Sequence, residues 1–335
     1  MRSFPGKGIA QRLGRASSRH LARTTAPFRR GDISIFHEFV PPPAGGGHQF
    51  LRALKREWER MGFRVEVNTL SKTTQACLLN SFNFDAERFR FLRRAGCRTI
   101  HRVDGPLAVY RGMDDGTDRM IADWNQDFAD GTIMQSQFSL QAHEEMEIGF
   151  CEPVVIPNAA DPAIFYTPDH APAPAGRKLR VLSASWSDNR NKGADIYEWL
   201  DRNLDFERVD YTFVGRLPLP MSRIQVLPPM PSTRLADLLR EQDVYLTASR
   251  SDPCSNSLIE ALSCGLPAIY LKSGGHPEIV GEAGLGFSVA EEIPGLLDRM
   301  SAEHAEFQEK IHVPKIEEVA SRYLAVLRLP DKWAR

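Results

Sequence analysis

One order of elements occurs twice in this chain: strand, polar or glycine-rich loop, helix, strand. The first copy begins at residues 32–39, which alternate as a strand does. A loop of Pro41, Pro42, Pro43, Ala44, Gly45, Gly46 and Gly47 follows. A helix comes next, with Phe50, Leu51, Leu54, Trp58 and Met61 along one face. Gly62 stands where such a helix ends, and residues 63–67 read as the next strand. The second copy starts about 150 residues later: strand 179–183, polar loop 185–192, helix 193–204, strand 211–214. Parallel strands need a crossover, normally a helix that covers a face of the sheet. Two such starts in 335 residues predict an α/β chain of two Rossmann-like doubly wound domains facing each other across a cleft.

The punctuation sets the boundaries. Pro157, Pro162, Pro168, Pro172 and Pro174 fall in a stretch with no long apolar run, which reads as a linker over 158–177. The first domain is then 32–157 and the second 178–314. A last helix within 315–330 carries Ile316, Val319, Ala320, Tyr323 and Leu327 on one stripe, so it packs on something, and the first domain is a candidate. Ser232 is the expected N-cap of a further helix in the second domain.

Charge is unevenly spread. Residues 1–31 hold eight Arg or Lys and no acid, which leaves 34 basic against 43 acidic residues in the rest of the chain, a net of -9. An acid-free basic leader reads as a plain flexible tail. It also suits an anionic membrane surface, and it has the composition of an organelle transit peptide. The whole-chain balance of -1 argues against a nucleic-acid binder, and no apolar run is long enough to span a bilayer. Cys77, Cys97, Cys151, Cys254 and Cys264 are scattered and include no C-x-x-C pair, which fits a reducing compartment. The expectation is a cytoplasmic protein, with the leader as the one candidate for peripheral contact with the inner membrane face.

The densest chemistry lies in 251–271. A polar turn with Asp252 and Pro253 leads into Ser255, Asn256 and Ser257, three capping types that open a helix. The free N–H groups of that helix start form a natural anion site. Glu260 follows Asp252 by eight residues, so the loop carboxylate and the helical one can face one cavity, and Gly265-Leu266-Pro267 ends the helix.

This run resembles the signature of the retaining nucleotide-sugar glycosyltransferases of family 4, which have the GT-B fold. Three further segments match in order: Val155-Ile-Pro-Asn158 with Asp161 and Phe165, Asn191-Lys192-Gly193, and Gly274-Gly275-His276-Pro277-Glu278. The likeness runs over residues 32–330 and is denser in the second half. It implies transfer of a sugar from a nucleotide-diphosphate donor to an acceptor hydroxyl, with no resident cofactor. It implies Lys192, assisted by Arg190, on the diphosphate, Glu260 on the ribose hydroxyls and Asp252 on the donor sugar. Backbone N–H groups of Ser255, Asn256, Ser257, Gly274 and Gly275 would cradle phosphate or sugar, with Glu278 in the same turn. Gly46 and Gly47 would let backbone approach the ligand. His101, heading His101-Arg-Val-Asp-Gly105, stands where the family has its active-site histidine, and Asp104 is a second candidate there. His37, Glu38 and His48 flank the glycine loop and are placed to touch an acceptor, while Trp186 would stack on a base or fill a gap. Asp114, Asp115 and Asp118 read as a solvated cluster.

Two departures stand out. The family has Glu where this chain has Asp252, and its Gly-Arg before the Lys-Gly turn is absent; Arg216 is a candidate replacement. No Asp-x-Asp occurs, so no metal site is expected. The donor base and sugar, and whether the acceptor is a glycan, a lipid-linked compound or a small molecule, have no legible signature. Two other readings share the fold: a non-catalytic binding module or inactive partner of a transferase, and a sugar-nucleotide epimerase. A dinucleotide oxidoreductase is disfavoured, because no G-x-G-x-x-G links a strand to a helix.

Overall fold

The computed structural model describes residues 30–41, 46–168 and 176–330. The basic leader before Arg30, the loop residues Pro42 to Gly45 and part of the expected linker lie outside the described residues. Among the described residues twelve strands form two parallel sheets. The first holds β1 (Ile33–Phe36), β2 (Val65–Val67), β3 (Ala76–Asn80), β4 (Arg98–Val103), β5 (Gly131–Met134) and β6 (Pro153–Val155), in the order β2-β1-β3-β4-β5-β6. The second holds β7 (Leu179–Ser185), β8 (Val209–Gly215), β9 (Gln225–Leu227), β10 (Val244–Thr247), β11 (Ala268–Leu271) and β12 (Gly284–Phe287), in the order β12-β11-β10-β7-β8-β9. Counted within its own domain that order is 3-2-1-4-5-6, the doubly wound arrangement.

Central strands are buried on both faces. Every residue of β1, β10 and β11 is buried, because helices cover both sides. The alternation expected over 32–39 is therefore lost inside β1, although Ser34 interrupts the apolar run; its hydroxyl donates to the Thr69 carbonyl at 2.6 Å. The edge strands β2, β6 and β9 are three residues each and the fourth edge, β12, is four, and short edges resist pairing with other chains. Pro153 opens β6, where its missing N–H costs no central ladder bond.

The helix Gly46–Arg60 buries Phe50, Leu51, Leu54 and Trp58 against the first sheet. The last helix, Ile316–Val326, joins the same core through Ile316, Val319, Ala320, Tyr323 and Leu324. Trp58 Nε1 donates to the Ala320 carbonyl at 3.3 Å, Arg98 Nε to Val326 at 2.8 Å and Arg322 to Val155 at 2.7 Å. The chain thus crosses between domains twice. Leu324 is 1% exposed, so Leu324→Ala is expected to cost about 2–5 kcal/mol. Hydrogen exchange should locate that loss in the first sheet; a loss confined to the second sheet would contradict the packing.

The second-domain helix Ser232–Arg240 differs from expectation at its start. Pro231 holds the cap position and Ser232 is already helical, with no side-chain capping bond. Proline's fixed φ performs the entry that serine was expected to make.

Candidate active site

Two connected cavities lie between the domains, at the carboxyl ends of the strands. The first, of about 230 Å³, is lined by Lys192, Asp252, Glu260, Trp186 and Tyr110 and by Ser255, Asn256 and Ser257. The second, of about 190 Å³, is lined from the first domain by Gly47, Arg102, Asp104, Tyr110 and Gln135. Tyr110, Asp252, Cys254 and Asn256 border both. Two larger depressions, of about 720 and 740 Å³, open where β7 and β8, or β3 and β4, begin. Doubly wound domains bind ligands at the opposite ends of their strands, so the smaller pair is the candidate site.

The helix Asn256–Ser263 begins at the cavity wall. Ser255 holds the cap position without capping, so the first N–H groups have no side-chain acceptor and remain available to an anion. Glu260 projects from the next turn and is 7% exposed. Among the described residues its carboxyl takes part in no hydrogen bond, and burial alone pushes its pKa up to about 8.

Lys192 ends a short 3-10 turn, Arg190–Lys192, after β7. Gly193 follows at φ 89, and a Cβ there would lie 2.4 Å from Cβ of Ala248, so a larger residue would displace the turn. Lys192 Nζ donates to Asp252 Oδ2 at 2.6 Å and sits 5.0 Å from the Tyr110 ring centre. Burial opposes the lysine charge, but Asp252 outweighs it and the pKa is raised. Burial likewise works to raise Asp252, and the Lys192 ammonium brings it below the usual range. The Asp252 loop is strained at Ser251, whose φ is 51. It is held by Ser273 Oγ, which accepts the Ser251 N–H at 2.9 Å, and by the Gly275 N–H, which donates to the Asp252 carbonyl at 2.9 Å.

On the first-domain side, β4 ends in a fixed polar cluster. Arg102 is 1% exposed. It donates to Asn80 at 2.7 Å, Asp104 at 3.0 Å and Asn158 at 2.9 Å, and lies over the Phe50 ring. Gln135 also donates to Asp104 Oδ1. Asn158 Nδ2 then reaches Gln135 at 2.8 Å and Asn256 at 3.0 Å, crossing to the second domain. Gly46 stands so close to this helix start that a Cβ would meet Cβ of Asn256 at 2.3 Å.

The expected residues divide by position. Lys192, Asp252, Glu260, Ser255, Asn256, Ser257 and Gly46 line the first cavity and Gly47 the second. His101 does not join them. It is fully buried, its Nε2 lies 2.9 Å from the Ser81 carbonyl and its ring packs edge-on to Phe84. Successive strand residues face opposite sides of a sheet, so with Arg102 and Asp104 on the cleft His101 must point away. Arg190 and Arg216 are exposed and line neither cavity. Gly274 and Gly275 brace the Asp252 loop, and the Gly275 N–H faces that loop's carbonyl. His37 pairs with His48 at 2.7 Å and touches Asn80; burial, with His48 and Arg102 adding to it, holds the His37 ring down to about 3. Asp118 is buried, not solvated. It accepts the N–H groups of Leu107 and Ala108 at 2.8 and 2.9 Å and so fixes the helix Leu107–Arg111 that presents Tyr110.

Glu278 spans the domains instead of lining a cavity. Its carboxylate accepts the N–H groups of Gln137 and Phe138 at 2.8 and 2.7 Å, at the start of the helix Gln137–Glu145. Glu278→Ala is expected to remove about 1 kcal/mol of this cap and to loosen the closed cleft. Small-angle scattering of the ligand-free protein should report a larger radius of gyration than wild type; an unchanged radius would show that other contacts hold the closure.

Tyr110 and Gln135 have no signal in the sequence, and Arg102 has none from motif or spacing. For Arg102 the strand alternation through Asp104 could have supplied one. Among the described residues no cluster of His, Cys, Asp and Glu could hold a metal ion, and no helix is long and apolar enough to cross a membrane.

Known structures share this architecture. Sucrose-phosphate synthase from Thermosynechococcus elongatus matches with a TM-score of 0.69 at 15% identity, over 90% of this chain and 98% of that one. HepE from Anabaena, in complex with UDP and glucose, matches at 0.62 and 16% identity, over 88% and 99%. The fold is GT-B. Within this GT-B frame, residues 221–301 match the family of glycosyl transferases group 1, a segment that includes Asp252 and Glu260 but not Lys192. A stretch of 58 residues is 36% identical to the phosphatidylinositol N-acetylglucosaminyltransferase GPI3 subunit of Saccharomyces cerevisiae. That stretch spans 17% of this chain and 13% of the yeast subunit.

Proposed function

We propose that this chain is a retaining glycosyltransferase of the family 4 type, which moves a sugar from a nucleoside-diphosphate donor to an acceptor hydroxyl. The observation that carries the proposal is the first cavity: Lys192, Glu260 and an uncapped helix start line one space. A departing diphosphate gains negative charge, and a fixed ammonium with oriented N–H groups stabilises it as it forms. Glu260 has lone pairs for both ribose hydroxyls and, among the described residues, no partner to surrender. Asp252, held by Lys192 and the glycine turn, supplies a fixed carboxylate for the hydroxyls of the donor sugar.

The two cavities adjoin along Tyr110, Asp252, Cys254 and Asn256, so a donor held in the first can extend towards the second. HepE has been solved with UDP-glucose, and the yeast subunit is named an N-acetylglucosaminyltransferase, so UDP-hexoses are the donors to test first. Calorimetry with UDP-, GDP- and ADP-glucose, followed by mass spectrometry of products formed with a cell extract, tests the proposal. Failure to bind any nucleotide sugar would refute it.

One observation favours a second reading. Lys192 is the only Lys or Arg that lines the first cavity among the described residues. A binding module would show donor affinity without turnover. An epimerase would convert its donor with no acceptor present.

A further inference from the structure

The second cavity adjoins the first through Tyr110, Asp252, Cys254 and Asn256, so a group held there lies next to a donor sugar held against Asp252. Its chemistry is one-sided. Arg102 is sealed in the floor, and its two terminal nitrogens are committed to Asn80, Asp104 and Asn158. Gln135 gives its amide N–H to Asp104 and its oxygen to Asn158. Asp104 Oδ1 takes both Arg102 and Gln135, while Oδ2 has no partner among the described residues, and the side chain is 33% exposed. A molecule entering the cavity thus meets a fixed carboxylate oxygen. Among the described residues the one cation that lines the cavity is Arg102, whose terminal nitrogens are already engaged and whose Nε is buried.

We infer that Asp104 is the acceptor-binding carboxylate of this cavity and that it selects an uncharged polyhydroxyl ring or polyol. The inference rests on the glycosyltransferase reading above. A hydroxyl can donate to Oδ2, and hydrogen bonds to a charged acceptor are the stronger kind. A phosphate or carboxylate in the same place would find lone pairs facing lone pairs, with Arg102 unable to turn towards it. Leu107 and Pro253 give the cavity an apolar wall for the C–H face of a ring.

The test uses the full chain and whichever of UDP-, GDP- or ADP-glucose binds it. Release of the nucleoside diphosphate is followed with three matched pairs: methyl α-glucoside and glucose 6-phosphate, glycerol and glycerol 3-phosphate, myo-inositol and inositol 1-phosphate. The uncharged member of at least one pair should stimulate release more than its phosphorylated partner. Asp104→Asn keeps Oδ1 for Arg102 and Gln135 and replaces Oδ2 by a donor. It should lower kcat/KM for that acceptor by about 10- to 100-fold with donor affinity by calorimetry unchanged, which also shows that the variant is folded. Preference for the phosphorylated member, stimulation by no uncharged member, or full acceptor turnover by Asp104→Asn would each overturn the inference. Absence of any nucleotide-sugar binding by the wild-type chain is a different outcome, because it removes the glycosyltransferase reading on which the inference stands.

Discussion

Glu260→Gln is expected to raise the melting temperature of the ligand-free protein at pH 8 and to lower its affinity for a nucleoside-diphosphate sugar by about 100-fold or more. Both effects follow from one carboxyl. Burial raises its folded pKa to about 8, whereas in the unfolded chain it ionises at about 4.3. Between those values the folded state holds a proton that the unfolded state has lost, so this group's contribution to stability falls as pH rises through the interval and levels off above it. A glutamine has no such charge to desolvate. The stability gain should therefore vanish near pH 4, grow towards pH 8 and then stay constant. Donor binding reverses the balance, because ribose hydroxyls donating to the carboxylate favour its ionised form. Binding near pH 7 should release a proton, visible as calorimetric heats that depend on the buffer's ionisation enthalpy. Wild-type affinity should rise with pH up to about 8, and Glu260→Gln should flatten that profile. A variant that bound donor as tightly as wild type would remove Glu260 from the site.

Lys192→Met should reduce turnover by about 100- to 1000-fold, the usual loss when one fixed donor to a developing anion is removed. It should also destabilise the fold. Asp252 is left buried without its cation, and breaking such a pair costs about 3–5 kcal/mol. The double change Lys192→Met with Asp252→Asn separates the effects: melting temperature should return towards wild type while turnover stays low. Recovery of turnover in the double variant would make the lysine structural. The pair has a pH window of its own. Asp252 is depressed, so its contribution is present above about pH 4 and fades as pH falls through the folded value. Lys192 is raised, so its contribution is present below about pH 10 and fades as pH rises through its folded value.

The legible parts of the site are those built from contiguous residues. Ser255, Asn256 and Ser257 are capping types, and Glu260 follows within the same helix, so their common wall depends on helix geometry alone. The turn at Lys192 was marked by Gly193, which tolerates a backbone that other residues avoid. His101 and Glu278 stand apart from the cavities for different reasons. His101 lies on a strand, where one step decides the face, and the cleft took Arg102 and Asp104. Glu278 lies in the helix His276–Val280, just after the glycines that meet the Asp252 loop, but its carboxylate meets the first domain, and no local pattern specifies a partner 141 residues away. Asp118 looked solvated among its acidic neighbours, yet two N–H groups from a preceding helix bury it.

The sequence by itself determined the two parallel sheets, the helices that cover them and the chemical character of each loop, because periodicity, glycine stops and caps act over a few residues. Only the tertiary structure decided which loops share a cavity, that Asn158 and Glu278 bridge the domains and that Asp104 keeps an oxygen without a partner among the described residues. Those outcomes depend on how the two sheets approach each other. That approach is set by many distant contacts summed together, including a last helix that returns to the first domain.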